Sequence, residues 1–207
     1  MLLRHGASAP YVPGTPFPLV SGQGDPPLST VGLEQAEVTG RRLAVEPIDA
    51  LYATSMQRTQ QTVAPLAARL GLDVAVEPDL REVHLGEWEG GLLRQHAAAG
   101  HPIYEQMHRE ERWDAIPGAE TNAGFRERCM NALERIADRH PDSLVLCTVH
   151  GGVIGVVLAH IAAARPFAMG GADNCSVSQI VRAEGSWAIR RFNDSSHLHD
   201  QLHHGPS

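Results

Sequence analysis

The sequence predicts an α/β fold, a three-layer sandwich with a mostly parallel central sheet, helices on both faces and a C-terminal antiparallel hairpin. Two observations predict it. From Leu2 to Ala164, short apolar runs alternate with longer segments of helical spacing, the pattern of βα units that builds parallel sheets. Then two adjacent runs, Val177 to Ala183 and Ser186 to Phe192, are joined by Glu184-Gly185, a two-residue hairpin turn in which Gly supplies the positive φ. The 207 residues suffice for one sizeable core with an insertion beside it, not for two full domains. We therefore read a single domain over 1–207, with an insertion around 92–120 and a flexible tail from about 195.

Taken in order, Met1-Leu2-Leu3 reads as the end of a buried strand, short against the usual ~5–6 residues; its natural start is expected a few residues upstream. Ala9 to Pro27 is rich in Pro and Gly and reads as a long ordered loop of functional type. Ser29 or Thr30 caps a helix carrying Leu33, Ala36, Gly40, Leu43 and Ala44, ended by Pro47. Ile48 to Ala53 is a second strand, followed by a helix from about Gln57 to Leu70, kinked at Pro65 and stopped by Gly71. Val74 to Val76 is a third strand, and Leu80 to Gly91 is irregular because Gly86, Gly90 and Gly91 interrupt it. His96 to Trp113 is polar and weakly helical, the body of the insertion. Thr121 or Asn122 caps a helix to Arg139 that buries Phe125, Cys129, Leu133 and Ile136. Leu144 to Val149 is the clearest buried strand, and Gly152 to Ala164 the helix after it.

Composition narrows the function classes. With 43% hydrophobic and 20% charged residues the chain is of ordinary globular type, and no apolar run approaches the ~18 residues of a membrane span. A formal charge of -7 argues against nucleic acid and anionic membrane as partners, so any phosphate site requires arginines converging at one place. Cys129, Cys147 and Cys175 are odd in number and form no CxxC pair, so neither a disulfide framework nor a zinc site is expected. Reduced thiols and the lack of a positive-then-apolar leader lead us to expect a cytoplasmic location. His197, His199, His203 and His204 read as a solvated tail rather than a metal site, because a flexible end lacks the fixed surroundings that orient metal ligands.

Four polar groups follow predicted strands or the loops after them: Arg4-His5, Ser55 to Arg58, Glu82, and His150-Gly151-Gly152. Ligands of open α/β sheets bind beyond the carboxyl ends of strands, so the fold lets these groups converge. The motifs that carry them are Leu3-Arg4-His5-Gly6, with Asp25-Pro26-Pro27-Leu28-Ser29 and Gly32-Leu33-Glu34-Gln35-Ala36 after it; Ser55-Met56-Gln57-Arg58-Thr59-Gln60-Gln61-Thr62; Leu80-Arg81-Glu82 with Gly86-Glu87-Trp88-Glu89-Gly90; and Val149-His150-Gly151-Gly152. In order and spacing, from Leu2 to about Ser178, they resemble the histidine phosphatase superfamily, also called phosphoglycerate mutase-like.

The resemblance implies His5 as a nucleophile that carries the phosphoryl group, Arg4, Arg58 and His150 as phosphate binders, and Glu82 as the acid that handles the proton, with no cofactor. Physical chemistry agrees with those residue types. A phosphate monoester must have its charge neutralised before a nucleophile approaches, and guanidinium forks bind phosphate oxygens in pairs. Neutral imidazole is an available nucleophile near neutral pH, and covalent catalysis divides one displacement into two easier ones. A charged His150 would donate to the equatorial oxygens, and Gly151 would bring a backbone amide of a helix start to the anion. A carboxyl group beside phosphate anions can keep its proton long enough to donate it to the leaving oxygen, which suits Glu82. Gln23 and Gly24 are further candidates for phosphate contact, and Ser176 for approach to the site. Arg58 sits at a helix start, where the dipole disfavours a cation, the kind of local conflict expected where function sets the residue.

Many family members carry an asparagine six residues after the first histidine, where Tyr11 stands here. The family's mutases have a basic Arg-Arg-Ser run in a longer insertion, whereas Arg94, Arg109 and Arg112 are never adjacent in this chain. Gly86-Glu87-Trp88-Glu89-Gly90 resembles instead the family's phosphatases, so hydrolysis of a small phosphorylated substrate is the leading expectation. Phosphoryl transfer of mutase type, or a non-catalytic phosphate-binding scaffold, are the alternatives. An exposed edge strand near the closing hairpin leads us to expect a homodimer.

Overall fold

The computed structural model describes residues 1–198. His199, His203 and His204 of the tail lie outside the described residues. In chain order the elements are β1 (Leu2–Arg4), β2 (Leu19–Val20), β3 (Gln23–Gly24), α1 (Thr30–Leu43), β4 (Ala50–Ala53), α2 (Gln57–Leu70), β5 (Val74–Val76), α3 (Leu92–Ala98), α4 (Pro102–Glu110), α5 (Asn122–Arg139), β6 (Val145–Val149), α6 (Gly151–Ile161), β7 (Val177–Ala183) and β8 (Ser186–Asp194). The main sheet has the order β5-β4-β6-β1-β7-β8. Its first four strands are parallel, and β7 and β8 add an antiparallel edge.

Alternation along the strands divides the core in two. Leu2, Tyr52, Cys147 and Val149 face α5 and α6, where they meet Phe125, Leu133, Val153 and Leu158. Leu3, Leu51 and Leu146 face the other way and pack with Leu43, Val63 and Leu66 of α1 and α2. Successive side chains of a strand point to opposite faces, so the short β1 contributes a buried leucine to each layer. The three cysteines are buried in these cores as free thiols.

Ser29 caps α1 by accepting from the Gly32 amide at 3.1 Å, and Thr121 caps α5 through the Gly124 amide at 3.1 Å. The second helix ends on Gly71 at φ 67° and runs through Pro65 without interruption. Other elements differ from expectation. The long loop contains a miniature hairpin, β2 and β3, turning on Ser21 and Gly22 at φ 50° and 81°. The insertion is two helices, α3 and α4, held by a small core of Trp88, Met107 and Ile116. The chain does not fray at 195: Leu198 is buried against the α1–α2 layer, and His197 Nε2 lies 3.0 Å from Thr39 Oγ1.

Candidate active site

Register brings the site together. Arg4 pairs with Val149, and Leu3 and Ala53 both pair with Thr148, so β1, β4 and β6 end together. The next residues, His5, Thr54 and His150, therefore stand side by side at the carboxyl edge of the sheet. The His5 and His150 rings meet edge to face with centroids 5.2 Å apart.

Each ring is fixed from behind. His5 Nδ1 donates to the Gly6 carbonyl at 2.7 Å, because a carbonyl can only accept; this fixes the tautomer and leaves Nε2 with its lone pair. The His5 amide donates to Val149 O at 3.0 Å, and Asn174 Nδ2 donates to His5 O at 2.9 Å. His150 Nε2 bonds the Thr54 hydroxyl at 3.1 Å, while its buried Nδ1 has no hydrogen-bond partner among the described residues.

Both imidazoles are held well below the usual histidine value. For His5 the cause is burial first, then the Arg58 and Arg4 charges; for His150 it is burial, Arg58, His5 and Arg4. Near neutral pH His150 is therefore neutral unless an anion offsets the guanidinium charges beside it. Two guanidinium groups already supply the positive charge there, and a third cation in a buried space is unfavourable until an anion enters.

Arg4 donates through Nη1 to the Ala172 carbonyl, and its buried Nε has no partner among the described residues. Arg58 donates to Gly24 O at 3.1 Å and faces Asp25 at 3.6 Å. Asp25 Oδ1 also accepts the Gln57 amide at 2.9 Å, so one carboxylate both caps the start of α2, which has no cap of its own, and offsets the misplaced cation. That explains how an arginine survives in the first turn.

The Glu82 carboxylate accepts from the Gly152 amide at 3.0 Å and from the Val83 amide at 3.0 Å. A side chain at 152 would place its Cβ 2.3 Å from Glu82 Oε1, so Gly is required for this approach. At 151 a Cβ would lie 3.3 Å from Arg4 Nε; Gly151 makes room for the guanidinium. Behind Glu82, Arg128 donates to Glu82 O at 2.8 Å and Arg81 O at 2.7 Å, and Gln23 donates to Glu82 O at 2.7 Å.

Arg4, His5, Arg58 and Glu82 line one cavity of about 500 Å³, with Gln23 and Gly24 on its wall. Gln23 spends its amide on Glu82, and the Gly24 amide donates to Glu89 at 2.8 Å. Ser176 is buried beneath the site, where its carbonyl accepts the Arg4 amide at 3.1 Å. Tyr11 reaches Gln95 at 3.3 Å and is not among the residues lining this cavity. Sequence reasoning missed Arg94, a third guanidinium on the wall, which donates to Ser8 Oγ at 2.7 Å and Ala9 O at 2.9 Å. It also missed Arg128, Thr54 and Asn174, whose roles exist only through contacts distant in sequence.

Residues 1–195 match the histidine phosphatase superfamily, branch 1. The chain belongs to that family. It is 30% identical over 202 residues to the metal-independent phosphoserine phosphatase of Arabidopsis thaliana, covering 96% of this chain and 82% of the relative. It is 34% identical over 188 residues to phosphoglycerate mutase-like protein 4 of the same plant, covering 87% and 80%. Among solved structures, mycobacterial glucosyl-3-phosphoglycerate phosphatase is similar at a TM-score of 0.77 and 29% identity, over 94% of this chain and 97% of that one. The mostly parallel sheet and the closing hairpin are the fold of these histidine phosphatases.

Proposed function

We propose that this histidine phosphatase relative hydrolyses phosphate monoesters through a covalent phosphohistidine on His5. The observation that carries the reading is the His5 tautomer: Nδ1–H is held on Gly6 O, so Nε2 faces the reaction as a neutral nucleophile in a cavity lined by Arg4 and Arg58. The two guanidinium groups bind the phosphoryl oxygens. The incoming dianion draws a proton onto His150, whose free Nδ1 then donates to the same group.

In the first step the Nε2 lone pair forms a bond to phosphorus as the ester P–O bond breaks, and protonated Glu82 gives its proton to the leaving oxygen. In the second step the Glu82 carboxylate takes a proton from water, the water oxygen bonds to phosphorus, and the P–N bond breaks to release inorganic phosphate and restore His5. Backbone amides on both carboxylate oxygens keep Glu82 aimed through both steps.

Water is the proposed acceptor because the adjacent basic residues that hold a sugar acid in the mutases have no counterpart here. The test is phosphate release from an aryl phosphate. His5→Ala is expected to reduce it at least ~10³-fold and Glu82→Ala by ~10²–10⁴-fold. Equal rates for the three proteins would sink the reading. Because arginines supply the charge that a metal supplies elsewhere, prior treatment with EDTA is expected to leave the rate unchanged, and a loss restored by a divalent ion would argue for a different chemistry.

A further inference from the structure

A second cavity, of about 510 Å³, begins where the first ends. Arg4, Glu82, Leu93 and Tyr104 line both. Beyond the two charged groups its walls are Tyr104, Met107, Trp113, Val156 and Phe167. The rings form one surface: Trp113 and Phe167 have centroids 5.1 Å apart, and His108 bridges Phe167 and Tyr104 at 5.9 and 4.6 Å. Asn122, the one amide side chain there among the described residues, accepts from the Trp113 amide at 2.9 Å and donates to Glu111 O at 2.7 Å.

Position identifies the occupant. The acid must touch the leaving oxygen, so the carbon skeleton of the alcohol starts at Glu82, and this cavity starts at Glu82 too. Among the described residues, Glu82 and Arg4 are the carboxylate and guanidinium groups on its wall, both committed to the phosphoryl group, and the remaining ionisable side chain near the rings, His108, has its ring between those of Phe167 and Tyr104, so a second anion on the substrate would meet no fixed counter-charge there. Ligand pockets of this kind are mostly apolar, with few polar groups that fix orientation. We propose that this aromatic-walled cavity holds the leaving alcohol, and that the substrates are phosphate monoesters of alcohols with an uncharged aromatic or branched apolar body.

The proposal rests on the phosphatase reading, and the experiment separates the two. Phenethyl phosphate, ethyl phosphate and 3-phosphoglycerate all release a primary alcohol, so differences in kcat/KM report binding of the body in the transition state. Phenethyl phosphate is expected to exceed ethyl phosphate by about tenfold or more, with 3-phosphoglycerate no better than ethyl phosphate. Val156→Phe, which fills the cavity away from the reacting groups, is expected to collapse the phenethyl-to-ethyl ratio by about tenfold. A ratio measured on one preparation does not depend on how much of the variant has folded. Preference for 3-phosphoglycerate would overturn the proposal in favour of the opposite wall, where Arg94 stands. A phenethyl-to-ethyl ratio near one, or one that Val156→Phe leaves alone, would overturn it too. No turnover of these esters or of an aryl phosphate would instead bring down the phosphatase reading itself.

Discussion

At His5 the two ring nitrogens have different fates, one spent on Gly6 O and one left to react. In the proposed mechanism Glu82 serves the leaving oxygen first and water second, and the two duties separate when the leaving group needs no proton. With 4-nitrophenyl phosphate, Glu82→Gln is expected to phosphorylate His5 at close to the native rate and then stall. A rapid quench would reveal a burst of nitrophenolate with near-stoichiometric acid-labile phosphate on the protein; a slow first turnover without accumulation would remove Glu82 from the second step. The five candidates His5, Arg4, Arg58, Glu82 and His150 were legible because each lies in a local motif at or soon after the end of a strand. Arg94 and Arg128 were not, since a lone arginine on a polar helix looks the same whether it faces solvent or reaches a cavity. Gln23 was expected to contact phosphate; it lines the cavity, and only tertiary structure shows that its amide donates to the Glu82 carbonyl.

Among the elements, α1 and α2 show how loops are tied to the chemistry. The Asp25 carboxylate caps α2 and faces Arg58, so Asp25→Ala is expected to destabilise the fold by about 1–2 kcal/mol, the cost of a lost helix cap, and to raise KM through a mobile Arg58. Urea denaturation and steady-state kinetics check the two halves; a stability loss with KM unchanged would leave Asp25 a cap alone. At the head of α1, Gly32 packs so closely that a Cβ would stand 2.0 Å from the Ala7 carbonyl. Strands and long helices were readable from period and caps, α2 to the residue. The β2–β3 hairpin was not, because two-residue strands between prolines leave no alternation to detect. The insertion read as weakly helical for a related reason: its helices are short, and α4 buries Met107 against Trp88 and Ile116 rather than along a stripe facing the sheet.

At the scale of the whole molecule, burying two neutral histidines ties stability to pH. Both have folded values well below the usual 6.5, so in the window beneath 6.5 the unfolded chain binds protons that the folded chain refuses. Stability is therefore complete above about pH 6.5 and falls as the pH drops, at up to about 1.4 kcal/mol per pH unit for each histidine. Denaturant titrations from pH 5 to 8 are expected to trace this loss, with His150→Gln giving the shallower slope; parallel slopes would mean that His150 is not buried neutral. The overall architecture was legible because a parallel sheet demands βα alternation, and the alternation also placed the reacting groups at one edge. What the pattern did not contain was the two-cavity layout, which depends on how α4, α6 and the loop before β7 meet in space.

The small core around Trp88, Met107 and Ile116 leaves one part of the pocket open to exchange. Its side chains lie largely outside the two layers of the sandwich, joined to the α5–α6 layer through Leu85 and Trp113, so substitutions there reach the wall of the second cavity without entering the strands that align the two histidines. Exchanging residues 92–117 for those of a relative is therefore expected to shift the proposed substrate preference while leaving the alignment of His5 and His150 in place.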